Sequence, residues 1–139
     1  MELSVHAPIY TAFLGGTLLS LQALLMLSVG TYRSRIKKGV GVADDTKLER
    51  LVRRHGNLAE NAAIFITVLA LYELLFGQTW AVIVAAGVFL AARLLHALGF
   101  ADDAGSHLIN AGGAGSKYIL MRAIGAGLTA LSSLALGIT

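Results

Sequence analysis

The sequence predicts an all-α membrane protein: one domain over residues 1–139, folded as a four-transmembrane-helix bundle with both termini on the non-cytoplasmic side. Composition is the first reason. Hydrophobic residues make up 56% of the chain, mean hydropathy is +0.73, and charged residues amount to 14%, where soluble domains carry about 25%. The second reason is a set of four apolar runs, each close to the roughly 20 residues that carry a helix across a bilayer. The third is the crowding of basic residues into one segment between runs. Four spans with their connectors use up the 139 residues and leave no room for a second domain.

The first run, residues 9–29, follows Pro8, the single proline, which sits where it interrupts no helix. A cleaved leader is not expected: the preceding residues carry Glu2 and no Lys or Arg, the run is too long, and no small-residue cleavage site follows. The run therefore reads as a retained span. The second run, 59–76, is entered through a polar amphipathic stretch. The third, 80–100, follows the short connector Gly77-Gln78-Thr79, and the fourth covers 118–138. Helix is required because a lipid-exposed strand leaves N–H and C=O groups unpaired. A closed barrel would show alternation over about ten residues, which these runs lack.

Eight of the eleven Lys and Arg residues lie between the first two runs: Arg33, Arg35, Lys37, Lys38, Lys47, Arg50, Arg53 and Arg54. The connector between the second and third runs has none. The positive-inside rule places the first loop and segment 101–117 in the cytoplasm, with the second connector and both termini outside. The net charge of +3, confined to a few segments, points to membrane orientation and not to nucleic acid. With no cysteine there is no disulfide framework, thiolate metal site or Cys nucleophile, and no metal site is expected. Gly15, Gly16, Gly87, Gly125 and Gly127 fall inside the spans and suit close helix approach, within the chain or between copies. The glycine-rich stretch 110–117 follows no strand and has the wrong lysine spacing for a phosphate loop. Asp44-Asp45 and Asp102-Asp103 read as solvated loop residues.

An ionisable side chain inside a bilayer needs a partner or a ligand to offset its insertion cost. Four groups stand out. Arg53, Asn57 and Glu60 share one face of the second span where it enters the membrane, and Arg50 extends the stripe. Arg93, His96 and Phe100 share a face near the end of the third. Tyr118 and Arg122 sit four apart at the start of the fourth, and Arg33 and Arg35 close the first. Two readings are open for each: structural, as an Arg53–Glu60 ion pair, snorkelling arginines and an interior histidine, or ligand-binding. All the groups fall near the same boundary, one from each helix. Together they would form a cationic cavity with one carboxylate and one amide, suited to a small ligand with two carboxylates and an ammonium group.

The pattern E-R-x-x-R-x-x-x-N-x-x-E, carried by Glu49, Arg50, Arg53, Asn57 and Glu60, resembles the signature of the MAPEG family, the membrane-associated proteins of eicosanoid and glutathione metabolism. Arg93-Leu94-Leu95-His96 looks like the family's third span. Arg122-Ala123-Ile124-Gly125, followed by Thr129, is similar to the fourth span of its small bacterial members. The resemblance covers the whole chain, and the second-span motif is its most specific part.

The resemblance implies a homotrimer in the bacterial inner membrane, with glutathione sites between neighbouring subunits, facing the cytoplasm. Glutathione, the co-substrate, has the two carboxylates and one ammonium the cavity suits. By analogy Arg53, Asn57 and Glu60 hold the tripeptide, with Arg93 and His96 contributing and Arg33 as a weaker carry-over. Arg122 matches the family arginine that stabilises the thiolate, since a cation lowers a thiol's pKa and raises its nucleophile population. The expected chemistry is thiolate attack on a lipophilic electrophile arriving from the bilayer, or reduction of a lipid hydroperoxide. The alternative is a non-catalytic member binding a lipid or an anionic ligand. A transporter would place its charges near the midplane, not at one boundary.

Three positions depart from the family pattern. Gly56 stands where several members are basic, and Ala63 where a helix-kinking proline is usual. Phe100 takes the place of a glutathione-contacting tyrosine, a lost hydrogen bond of about 0.5–1.5 kcal/mol, for which Tyr118 is the candidate substitute.

Overall fold

The computed structural model describes residues 5–42, 44–101 and 116–138. Asp102, Asp103 and the glycine-rich stretch up to residue 115 lie outside the described residues. The described residues form four helices: α1 (Ile9–Ile36), α2 (Thr46–Phe76), α3 (Trp80–Gly99) and α4 (Ser116–Gly137). Each is long and apolar enough to cross a membrane, so the chain is an integral membrane protein. Large apolar side chains such as Phe13, Leu19, Ile64 and Trp80 are exposed on the outer surface, where lipid takes the place of water.

The helices outrun the apolar segments that announced them. At 1.5 Å per residue, α1 with 28 residues and α2 with 31 are about 42 and 46 Å long, against a hydrocarbon core of about 30 Å. The excess lies at their shared basic end. There α1 continues through Tyr32 and Arg33 to Ile36, and the amphipathic stretch before the second run is the first three turns of α2. Lys37 stops α1 in the left-handed conformation (φ 54°), and the N–H groups of Lys37 and Lys38 return to the carbonyls of Ser34 and Arg33. Asp45 begins α2 as its N-cap, accepting from Leu48 N at 2.9 Å, while Tyr32 Oη donates to its other oxygen at 3.2 Å. Asp45 is therefore half-buried structure and not solvated loop; Asp44 is exposed. With alanine at position 63, α2 runs unbroken from Thr46 to Phe76.

The core reads as a heptad seam. Leu14, Leu18 and Leu25 of α1 meet Leu58, Phe65 and Leu69 of α2 and Val82 and Phe89 of α3. The Phe65 and Phe89 rings stack at its centre, 3.7 Å between centroids and 8° between planes. α1 packs chiefly on α2 and α4 chiefly on α3; α2 and α4 touch less than the other packed pairs. Two glycines permit the α3–α4 approach. A Cβ on Gly125 would lie 2.6 Å from His96 N and 2.7 Å from Ala92 O, and one on Gly99 would lie 2.7 Å from Arg122 N. Gly16, Gly87 and Gly127 have open space within this chain, and Gly15 only ordinary contact.

The opposite end is closed by a buried carboxylate. Glu73, late in α2, is fully buried. It accepts from Tyr10 N at 3.0 Å, Thr11 N at 2.9 Å and Thr11 Oγ1 at 2.7 Å. Pro8 supplies no side-chain cap, so the orphan donors of the first turn of α1 are satisfied by another helix. Gly77 ends α2 at φ 78°, and the chain before α1 lies beside it, His6 N donating to Leu74 O at 3.0 Å.

Candidate functional site

Arg93 ties three helices together. Six residues before the end of α3, it is 2% exposed. Its Nη1 donates to Asn57 Oδ1 on α2 at 2.7 Å and to the Asn57 carbonyl at 3.3 Å, and Nη2 donates to Thr129 Oγ1 on α4. The Thr129 hydroxyl gives its own proton to Gly125 O at 2.7 Å, so its lone pairs face the cation. The guanidinium carbon lies 5.8 Å from the Phe89 ring centroid. Nε is buried with no hydrogen-bond partner among the described residues. The accepting groups are an amide, a carbonyl and a hydroxyl, all neutral. A buried cation so held still carries most of its desolvation penalty, and an anion that reached the Nε–Nη2 edge would relieve it. That edge has the fork geometry that takes a carboxylate in bidentate fashion.

Beside Arg93 opens a cleft of about 210 Å³, lined by Asn57, Asn61, His96, Thr129 and Ser133. Asn61 Nδ2 donates to Asn57 O at 2.8 Å, so Asn57 holds the arginine with its side chain and is braced through its main chain. His96 is 6% exposed. Its ring lies 5.1 Å from that of Phe100, and the Arg122 guanidinium carbon lies 5.2 Å from the same Phe100 ring. Phe100 thus forms an aromatic plate between His96 and Arg122, and Gly99 seats the Arg122 backbone next to it. Tyr118 is half-buried, with Lys117 Nζ 5.0 Å over its ring.

The α2 stripe straddles the edge of the bundle. Arg50 is 8% exposed and Asn57 half-buried, while Arg53 and Glu60 face outward. Arg53 does not pair with Glu60, two turns away. Its Nε lies 3.7 Å from Glu49 Oε1, one turn away, the favourable order of an acidic residue four positions before a basic one. With the Arg53 side chain 72% exposed, that contact contributes about 0–1 kcal/mol, so the guanidinium is readily redirected. Glu60 lies back toward Gly56 and lines a second cleft of about 310 Å³ with Asn61, Ile64, Val68, Ser133 and Leu136. Arg33 is occupied elsewhere, its Nη1 donating to the carbonyls of Lys38, Gly39 and Gly41 at 3.4, 3.2 and 3.0 Å.

Of the residues singled out from sequence, Asn57, Arg93 and His96 meet in one cleft, with Arg122 adjacent through Phe100. Arg33, Arg53, Glu60 and Tyr118 do not line it within a single chain. The cleft also uses Asn61, Thr129 and Ser133, which sequence reasoning did not assign to the site. Their signal was present: Asn57/Asn61 and Thr129/Ser133 are polar pairs four apart on otherwise apolar helices.

A profile described as the MAPEG family matches residues 11–139. Among curated proteins, the inner membrane protein YecN of Escherichia coli (strain K12) is 33% identical over 84 residues, which is 59% of this chain and 64% of that protein. YecN of Escherichia coli O6:H1 (strain CFT073) matches to the same extent. The chain thus aligns with slightly less than two thirds of these relatives' length. No solved structure matches.

Proposed function

The chain belongs to the MAPEG family, and from that membership we propose that it is a glutathione-dependent transferase or peroxidase of the bacterial inner membrane, acting on lipophilic electrophiles or lipid hydroperoxides. The observation that carries this reading is the buried Arg93, held by neutral groups and with its Nε unpartnered among the described residues, beside a polar cleft. In the proposal one glutathione carboxylate takes the Nε–Nη2 edge, and Asn57 and His96 flank the peptide. Arg53 and Glu60, on the outward edge of α2, meet the remaining carboxylate and the ammonium group in a homotrimer, where a neighbouring copy covers that edge. Arg33 contributes only by leaving its loop carbonyls, and Tyr118 supplies a hydroxyl that Phe100 lacks. The basic end faces the cytoplasm, where the peptide is supplied.

Arg122 would favour the thiolate. In transfer, the sulfur forms a bond to carbon as the leaving group departs with its electron pair. In reduction, the sulfur takes the distal peroxide oxygen, the alkoxide leaves and collects a proton, and a second thiol releases water to give the disulfide. A second reading, a non-catalytic member binding a lipid or anion, is favoured by Phe100, which presents a ring face where a hydroxyl donor would serve catalysis.

Calorimetric titration of the detergent-purified protein with glutathione tests the reading. Binding in the parent, weakened at least tenfold in Arg53→Ala and Glu60→Ala, supports it; no heat from a folded parent rejects it. Conjugation of a chlorinated aromatic acceptor, with Arg122→Ala as the control, separates enzyme from binder. An Arg122→Ala variant at full rate removes the proposed thiolate stabiliser.

A further inference from the structure

Hydroxyls in the spans hide from lipid by donating to the carbonyl one turn back: Thr17 to Phe13, Ser20 to Gly16, Thr67 to Ala63 and Thr129 to Gly125. The first three lie at exposed positions. Thr129 is buried, and its oxygen also accepts from Arg93 Nη2. The bond to Gly125 turns the hydroxyl proton away from the arginine. Gly125 is where α4 lies against main-chain atoms of His96 and Ala92, so the acceptor is seated by the helix contact itself. It is carried on a β-branched side chain with few rotamers.

We propose that Thr129 is a positioning residue for a ligand carboxylate, acting through Arg93. A guanidinium donates from Nε and from both Nη atoms. Asn57 on α2 engages Nη1 and Thr129 on α4 engages Nη2. Two holds on different nitrogens, from helices on two sides, fix the plane of the group and give its Nε–Nη2 edge one direction. A bidentate pair needs its two N–H vectors parallel and aimed at the two oxygens. Held by Asn57 alone, the group would rock about Nη1 and present the same charge without the fork. Arg122, Gly125 and Thr129 also share one face of α4, at spacings of three and four. The edge that anchors the peptide and the cation assigned to its sulfur are therefore set from one rigid surface, the fixed orientation that a reacting group requires. That the carboxylate belongs to glutathione rests on the proposed function; the hold of Thr129 on Arg93 does not.

The test has one arm without ligand and one with glutathione, both on the detergent-purified full chain. Nitrogen NMR of protein labelled at its arginine side chains should show distinct, slowly rotating Arg93 Nη2 protons in the parent and in Thr129→Ser, and merged ones in Thr129→Val. Their loss in Arg93→Met assigns them. Calorimetry should give a glutathione Kd about tenfold higher in Thr129→Val, the weight of one hydrogen bond to a charge, and within about twofold of the parent in Thr129→Ser. Stoichiometry should stay unchanged, whereas a merely structural role would lower the stoichiometry and leave Kd alone. Thr17→Val, which removes a back-bonding hydroxyl from an exposed position of α1, should change neither readout. If Thr129→Val does not fold, Thr129→Ala carries the same expectations. Freely rotating Nη2 protons in the parent, a parental Kd or slow Nη2 protons in Thr129→Val, or equal losses in Thr129→Ser and Thr129→Val would each overturn the assignment. A folded parent with Thr129-dependent Nη2 signals and no heat from glutathione would reject that ligand and leave the hold on Arg93 in place.

Discussion

Glu73 accepts both the main-chain N–H and the hydroxyl of Thr11, two bonds from one residue to a partner 62 positions earlier in the chain. With the bond from Tyr10 N, the carboxylate does for α1 what a local N-cap does elsewhere, and it joins α1 to the far end of α2. Replacing it with alanine strands two buried donors of Thr11 and the part-buried N–H of Tyr10. Glu73→Ala should destabilise the protein by about 2–4 kcal/mol, and Glu73→Gln by less, since the amide oxygen still accepts. Thermal unfolding followed by size exclusion in detergent reads the difference. A Glu73→Ala variant as stable as the parent would show the cap to be dispensable.

Arg93 should separate stability from binding. Arg93→Met relieves the desolvation of a buried cation, leaves the Asn57 and Thr129 acceptors without their donor, and removes the fork proposed to take the anion. The first two effects oppose each other, so we expect a melting temperature close to that of the parent, with glutathione affinity reduced at least tenfold. Asn57→Ala should lower stability. It leaves the cation short of its best acceptor and should cost about 1–3 kcal/mol. Melting curves and calorimetry on the same preparations check both.

Gly125 and Gly87 form a matched pair. A methyl at Gly125 meets main-chain atoms of His96 and Ala92, whereas one at Gly87 meets nothing within 4 Å. Gly125→Ala should force α4 away from α3, loosen the Thr129 contact to Arg93 and cost about 1–3 kcal/mol. Gly87→Ala should be neutral or gain up to about 1 kcal/mol from helix propensity. Unfolding midpoints of the two variants should fall on opposite sides of the parent or the parent value itself.

Arg33 holds the first loop through three carbonyls. Arg33→Ala should release that turn and speed tryptic cleavage at Lys37 and Lys38 severalfold, with the helical content unchanged. Limited proteolysis timed by mass spectrometry gives the rate, and an unchanged rate would show that the turn is held by other contacts.

The four spans were legible because hydropathy reports where lipid begins, and for the same reason the helix ends were not. α1 continues past the apolar run to Ile36 and α2 starts at Thr46 because helices cross the interface into water without breaking, and only caps such as Lys37 and Asp45 mark their ends. The Asp45 cap was visible in principle, a side-chain acceptor at the start of a periodic segment. The site was legible to one helix face. Spacing put Arg53, Asn57 and Glu60 on a common stripe but could not tell its inner edge from its outer edge, because that depends on where α3 and α4 pack. Asn61 and Ser133 escaped notice, and Thr129 was noted in the fourth span but not assigned to the site, because uncharged polar side chains attract less attention than arginines. Glu73, a carboxylate inside the second apolar run, called for a partner, but nothing local named Thr11 as that partner.

Unbroken by proline, α2 acts as a stiff axle. One end carries Arg53 and Glu60; the other is keyed by Glu73 to the first turn of α1. A rigid rotation of α2 that turned Arg53 inward would also draw Glu73 out of the first turn of α1, twenty residues and about 30 Å away, whereas a swing of the Arg53 side chain alone leaves that key in its slot.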